Sequence, residues 1–196
     1  LDALFAPDGS LAQLYGNTYD RRQGQLDMAQ RVLQALNTGD HLLIEAGTGT
    51  GKSIAYALPT VLWSLANQRR VVIATNTIAL QEQLLDKDLP IVHAVLRLSG
   101  YPEVRAALLK GRSNYLCTRR LYSWFYNRRL TVVELRVLAK VLIWLLHTET
   151  GDVSELFLPT QAERLIWTRI CSDAATCSPE RCGTDRGSFV DFFFWA

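Results

Sequence analysis

Nine consecutive residues, Glu45-Ala46-Gly47-Thr48-Gly49-Thr50-Gly51-Lys52-Ser53, carry the most sharply defined chemistry in this 196-residue chain. Three glycines let the backbone curl with its N–H groups inward, so a diphosphate can be held with no side chain in the way. Lys52 then supplies a point charge to the outer phosphates and Ser53 a hydroxyl ligand for Mg²⁺. The start of a following helix would add its positive dipole end. The strict phosphate-loop pattern opens on glycine, and here Ala46 stands in that place; alanine is small enough to leave the cradle open. The same letters could also spell a glycine-rich turn before a lysine, and the flanks decide. An apolar run at 42–44 leads in as a buried strand would, and residues 53–58 lead out in helix-compatible types. Strand, glycine loop, helix is the order that phosphate binding requires.

Two other groups of polar residues belong beside this loop. Arg22 and Gln25 stand at the start of a predicted helix over 23–36, just before the loop strand. An amide there can pair with both donor and acceptor edges of a purine, which a carboxylate or an amine cannot do. Thr75, Asn76 and Thr77 follow a second β-branched run at 71–74. Ligands of open α/β sheets bind at the carboxyl ends of strands, so this trio either touches ligand or caps the next helix.

The third chemistry lies in the four cysteines, Cys117, Cys171, Cys177 and Cys182. A chain that binds ATP belongs in a reducing compartment, where clustered cysteines are more often metal ligands than disulfides. Structural zinc wants four tetrahedral ligands, usually from two tight pairs. An iron–sulfur cluster tolerates wider spacings. Spacing alone leaves the two open, beside ordinary buried thiols. Between Arg105 and Lys140, nine basic residues face the single acid Glu134, interleaved with Tyr115, Tyr122, Trp124, Phe125 and Tyr126. Cations that track phosphates and rings that stack on bases are the components of a single-strand binding surface. Most of these rings should be core, and some of the arginines should meet nucleic acid.

The elements that must position these groups alternate. Strands are expected at 42–44, 71–74 and 105–109, and helices after each of the first two. Pro59 should kink or stop the first of these helices, and Pro90 should interrupt the second. Beyond 116 the chain becomes helix-rich. Thr131-Val132-Val133-Glu134 has capping-box spacing, and Leu135, Leu138, Val141, Leu142, Leu145 and Leu146 are the expected buried face of the helix that follows. A further amphipathic piece is expected over 161–170. With 48% apolar residues a sizeable core is available, and the net charge of +2 says little beside its distribution. No signal-like start and no apolar run of about 18 residues is present, so a soluble cytoplasmic protein is expected. Leu1 at the start and the apolar run at 192–196 are what a piece of a longer protein would show.

Taken together these residues resemble the DinG-like and XPD-like branch of superfamily 2 iron–sulfur DNA helicases. Arg22 with Gln25 is similar to the family's adenine-reading motif, residues 45–53 to its motif I, and Ala74-Thr75-Asn76-Thr77 to its motif Ia. Lys110-Gly111-Arg112-Ser113-Asn114-Tyr115-Leu116-Cys117 is similar to the segment that supplies its first cluster cysteine. The resemblance implies an α/β fold, a P-loop NTPase (RecA-like) parallel sheet with a mostly helical, cysteine-bearing insertion. Residues 1–18 would be an opening segment or linker, 19–110 the first part of motor domain 1, 111–191 the cluster insertion, and 192–196 the return to the motor. ATP, Mg²⁺ and a [4Fe–4S] cluster are the implied cofactors. Lys52 is the implied catalytic residue, and Arg22, Gln25, Ala46, Gly47, Thr48, Gly49, Thr50, Gly51, Lys52 and Ser53 are the implied nucleotide contacts. Cys117, Cys177 and Cys182 match the cluster ligands, but Asp191 falls where the family's fourth cysteine usually stands. Cys171 is the expected substitute, because thiolate suits this iron better than carboxylate.

The activity implied is ATP-driven 5′ to 3′ translocation on single-stranded DNA with duplex unwinding. Its partners would be single-stranded and forked or tailed duplex DNA, with no membrane, and its working form a monomeric motor associated with the bacterial nucleoid. The family's motif II and second motor domain are not in this sequence, so the chain alone should bind nucleotide weakly without turnover. Two other functions remain open: a P-loop NTPase of another class, such as a small-molecule kinase, and a non-enzymatic, metal-stabilised nucleic-acid-binding module. The first lacks an obvious acceptor lid, and the second leaves motif I idle.

Overall fold

The computed structural model describes residues 1–126 and 129–178. The chain divides into two compact units, Leu1–Leu108 and Leu109–Ala196, each with its own hydrophobic core.

In the first unit, α1 (Ser10–Tyr15), α2 (Gln23–Thr38), α3 (Lys52–Asn67), α4 (Ile78–Gln83) and α5 (Leu89–Leu98) surround a core of Leu11, Leu26, Ala29, Leu58, Val92 and Val95. α2 and α3 form the main packing pair. Ala29, Ala55 and Ala57 are fully buried, and such short side chains allow a close approach. Gly39 stops α2 in the left-handed conformation, φ 75°, with its N–H on the Ala35 carbonyl. The opening residues join this core: Phe5 is 1% and Leu11 2% exposed. Burial of each contributes about 1.5–3 kcal/mol, so the segment packs as part of the unit rather than trailing from it.

Pro59 acts differently from expectation, while the α-helix beside Pro90 is interrupted as expected. α3 runs unbroken through Pro59, which is itself buried among its apolar neighbours. Pro90 sits in the first turn of α5, which follows the preceding turn of helix without a break. Between α4 and α5, Leu84–Asp88 widens into a π turn. The proline ring would press on the carbonyl four residues back, and the wider turn relieves that contact.

The expected parallel sheet is not formed among the described residues. Segments 42–44, 71–74 and 105–109 carry no strand assignment. A strand is defined by ladder hydrogen bonds to a neighbour, and these three do not pair with one another. Their β-branched and apolar side chains are written for burial, yet Leu43 is 99% and Val72 88% exposed.

In the second unit, α6 (Thr118–Tyr126), α7 (Val132–Trp144) and α8 (Gln161–Ile170) enclose Leu121, Trp124, Val137, Val141, Ile166 and Trp167. Trp144 and Trp167 meet edge to face at 6.1 Å between ring centroids, a favoured aromatic geometry. Each indole N–H is satisfied, Trp144 by Glu155 at 3.0 Å and Trp167 by the Ser113 carbonyl at 2.9 Å. α7 and α8 both start in reciprocal capping boxes, Thr131 with Glu134 and Thr160 with Glu163. The buried face of α7 matches the expected one in part: Val141 is buried, and Leu138 and Leu145 pack partly buried against the core. Val137, Val141 and Trp144 point inward, while Leu135, Leu142 and Leu146 are exposed. α7 is apolar nearly all round, so periodicity did not define its phase, and the two facing tryptophans chose it. Among the described residues, no helix is long and apolar enough to cross a membrane.

Candidate functional site

The glycine loop lies where α3 begins. Gly49 (φ 79°) and Gly51 (φ 74°) adopt the left-handed conformation that L side chains rarely take. Gly51 has a second reason to be glycine, since a Cβ there would stand 2.2 Å from the Gln25 amide nitrogen. Helix α3 starts at Lys52, so its first unpaired N–H groups open toward the loop. Lys52 folds back, and its ammonium donates to the carbonyls of Ala46 and Gly47, each at 2.8 Å. The Thr50 hydroxyl donates to the Gly47 carbonyl at 3.0 Å. Ser53, half-buried, stands one turn before Tyr56, whose phenol is raised above its ordinary pKa by burial against the opposing hydrogen bond with Ser53.

Arg22 and Gln25 are brought to this loop by the start of α2. The Arg22 guanidinium donates to the Gly49 carbonyl, and the Gln25 amide to the Gly51 carbonyl at 3.0 Å. Both side chains therefore hold the loop backbone. The Gln25 amide donor is engaged there, and its carbonyl oxygen retains acceptor capacity. Thr77 caps α4, its hydroxyl accepting from the Leu80 N–H at 3.3 Å, and Thr75 donates to the Thr77 carbonyl. Ala46, Gly47, Thr48 and Gly49 line the loop, with Ala46 half-buried and the other three exposed.

In the second unit, Cys117 and Cys177 meet with their sulfurs 3.5 Å apart. That is well beyond the S–S bond of about 2.05 Å, so the two sulfurs are not bonded to each other, and both residues are buried. The Asp173 N–H donates to the Cys177 sulfur at 3.4 Å. Cys171 is buried too, but it lies elsewhere. It bridges antiparallel to Leu116, joins that leucine in the apolar core, and directs its thiol to the Thr168 carbonyl at 3.6 Å. Its pKa is raised by burial, against the nearby Arg120 charge. Alternation along the bridged segment explains the separation, because neighbouring residues point to opposite faces. Cys182 and Asp191 lie outside the described residues, as does Arg128. Among the described residues, no three of His, Cys, Asp and Glu gather as a metal-binding set. What the described residues offer a metal is two buried sulfurs in contact, one accepting a backbone N–H.

Part of the basic block holds this cysteine segment. Arg112 donates to the Asp173 and Cys177 carbonyls at 3.1 and 3.3 Å, and Arg119 to the Thr176 carbonyl at 2.6 Å. Arg120 reaches the Thr168 and Arg169 carbonyls and forms an ion pair with Asp173. The Asp173 carboxylate in turn accepts from the N–H groups of Ala175 and Thr176, making a tight turn. Asp173 and Thr176 were not among the residues expected to matter, although an Asp readily hydrogen-bonds its own backbone two residues on, as here to Ala175. Lys110 is also internal, 2.9 Å from Asp152 and 5% exposed, and Lys140 pairs with buried Glu163 at 2.6 Å. Arg129 and Arg136 are exposed. Of the interleaved rings, Tyr115 and Trp124 are buried, whereas Tyr122 and Tyr126 stack at 5.1 Å with exposures of 46% and 67%.

Comparison with known proteins bears on both units. The DEAD/DEAH box helicase family profile matches residues 26–121. The 3′-5′ exonuclease DinG of Bacillus subtilis is 39% identical over 155 residues, 79% of this chain and 16% of that protein. The ATP-dependent DNA helicase YoaA of Escherichia coli is 37% identical over 191 residues, 95% of this chain and 28% of its own. The ATP-dependent helicase DinG of Mycobacterium tuberculosis H37Rv is 48% identical over 103 residues, 53% of this chain and 16% of its own. The chain thus spans less than a third of the length of these curated relatives. With the loop at Gly49–Lys52 inside the profile match and relatives along nearly the whole chain, the comparisons lead to one conclusion: residues 26–121 are similar to the DEAD/DEAH box helicase family, and the chain is similar to a part of DinG-like helicases.

Proposed function

We propose that this chain contributes the phosphate-binding half of the ATP site of an ATP-dependent DNA helicase. The observation that carries the reading is the loop itself: two left-handed glycines, a helix opening at Lys52, and an ammonium resting on carbonyls that a phosphate would replace. In this reading the loop N–H groups and Lys52 hold the β- and γ-phosphates, and Ser53 ligates Mg²⁺. Ala46, Gly47, Thr48, Gly49, Thr50 and Gly51 form the wall of the cradle. Arg22 and Gln25 grip the loop from behind and offer Gln25 to the base.

Coupling of hydrolysis to 5′ to 3′ movement along single-stranded DNA, and action on forked or tailed duplexes by a monomeric cytoplasmic motor, belong to the same proposal. The relatives' names support ATP-dependent helicase action, and the exposed Tyr122 and Tyr126, with Arg129 and Arg136 nearby in sequence, support contact with single strands. Cys117, Cys177 and Cys182 would hold a [4Fe–4S] cluster, with Cys171 or Asp191 as fourth ligand. Cys171 would have to turn out of the apolar core to serve. When bound, the cluster would cross-link segments distant in sequence. Arg112, Arg119 and Arg120 hold the cysteine turn in place for it.

The test is Lys52→Ala in a full-length protein containing this sequence. Loss of a charge-assisted contact of about 1.5–3 kcal/mol should weaken ATP binding roughly 10- to 100-fold and abolish DNA-stimulated hydrolysis. Unchanged hydrolysis would refute the site. Binding of single strands that responds to nucleotide separates a motor from a passive module, which would show the salt dependence alone.

A further inference from the structure

We infer that Tyr56 is a positioning residue for Ser53: its phenol oxygen accepts the Ser53 O–H and turns the serine lone pairs toward the Mg²⁺ that accompanies bound nucleotide. The inference rests on the phosphate-loop reading above. Ser53 is the second residue of α3, half-buried, and directly follows Lys52, whose ammonium lies on the loop carbonyls. A hydroxyl oxygen in that place suits a hard cation, which takes oxygen ligands. A helical side chain leans back over the turn before it, so Tyr56, three residues on, covers Ser53. The two side chains share a hydrogen bond. A serine hydroxyl has one donor and two lone pairs. Donation to Tyr56 uses the proton and leaves both lone pairs for a cation, whereas a freely turning hydroxyl would present them only part of the time.

A second element fixes the direction of the phenol. The Tyr56 ring packs half-buried against the core of the first unit. Asp88, the last residue of the π turn, is 7% exposed, and its carboxylate is close enough to act on the Tyr56 phenol. α3 and this turn pack together. The Asp88 carboxylate accepts from the Gln83 amide at 3.4 Å, a contact too long to satisfy a buried carboxylate by itself. Its negative charge draws the phenol proton to its own side, which leaves the phenol oxygen open to the Ser53 O–H. The relay runs from Ser53 through Tyr56 to Asp88, and ties the cation ligand to the turn that follows α4. Partners of this kind, one bond removed from a metal, orient the ligand that touches it. Phenylalanine at position 56 would fill the same space in the core and break the relay.

The experiment uses a full-length protein containing this sequence and measures its affinity for a non-hydrolysable ATP analogue with Mg²⁺ and in EDTA. Parent, Tyr56→Phe, Ser53→Ala and the double variant are compared as a cycle. In Tyr56→Phe the gain in affinity that Mg²⁺ confers should be about fivefold smaller, with the affinity and the melting temperature in EDTA equal to the parent's. Adding Tyr56→Phe to Ser53→Ala should change nothing further. An unchanged Mg²⁺ gain in Tyr56→Phe would overturn the inference, as would the same fivefold loss in the Ser53→Ala background. A lower melting temperature with equal losses of affinity in Mg²⁺ and in EDTA would also overturn it, by assigning the phenol a packing role. A parent that binds no analogue, or a Ser53→Ala variant that keeps the whole Mg²⁺ gain, would sink the phosphate-loop reading, and the inference with it.

Discussion

Lys52 rests on its own loop, because an ammonium with three donors seeks the nearest acceptors, and the carbonyls of Ala46 and Gly47 are within reach. Gln25 and Arg22 brace the same loop from α2, so one segment reads the state of another twenty-odd residues away. Glu163 is a strongly perturbed acid of the second unit. Its hydrogen bond from Lys140 and that from the Thr160 N–H hold its pKa down to about 2, against the cost of burial. A carboxyl whose folded pKa is depressed contributes stability that is complete above the unfolded value of about 4.5 and disappears as pH falls toward 2. Thermal unfolding of the parent should accordingly drop across pH 4.5 to 2. Glu163→Gln should be less stable at pH 7 and show a shallower drop in that window. Parallel pH profiles for the two proteins would show that Glu163 is not the group responsible.

At the scale of elements, caps and faces behave differently. The capping boxes of α7 and α8 are local, since a threonine and a glutamate three residues apart need nothing else to meet. The phase of α7 is not local. With apolar residues on both sides, the helix could have buried Leu135 and Leu142, and it buries Val137 and Val141 instead. Val141→Ala should therefore lower stability by about 2 kcal/mol in denaturant unfolding. Leu142→Ala should stay within about 0.5 kcal/mol of the parent, despite removing the larger side chain. The reverse order would mean that Leu142 rather than Val141 packs in the core. α6 shows a related division of labour, with Arg119 and Arg120 tied to the cysteine turn and Tyr122 and Tyr126 left outward.

Across the whole molecule, each unit carries a separate core, and the second is anchored by a buried charge pair. Lys110 and Asp152 are 2.9 Å apart, with the Ser154 hydroxyl 3.2 Å from the ammonium. Asp152→Ala would leave a buried ammonium without its carboxylate, a change of about 3–5 kcal/mol. It should appear as a lower midpoint in tryptophan fluorescence, because Trp124, Trp144 and Trp167 are all buried in that unit. A midpoint equal to the parent's would refute the anchoring role. The sequence by itself determined the glycines of the phosphate loop, the end of α2 at Gly39, the capped start of α7 and the amphipathic stretch that becomes α8, because glycine conformation and capping act over three or four residues. The expected strands had no such autonomy, since a strand exists only against a partner, and residues 42–44, 71–74 and 105–109 pair with none of one another. Only the tertiary structure decided that Cys117 meets Cys177, sixty residues on, while Cys171 turns into the apolar core. It likewise decided that Arg112, Arg119 and Arg120 bind carbonyls of their own chain. Contacts between residues fifty or more apart depend on how helices pack, and packing is written in shape rather than in local pattern.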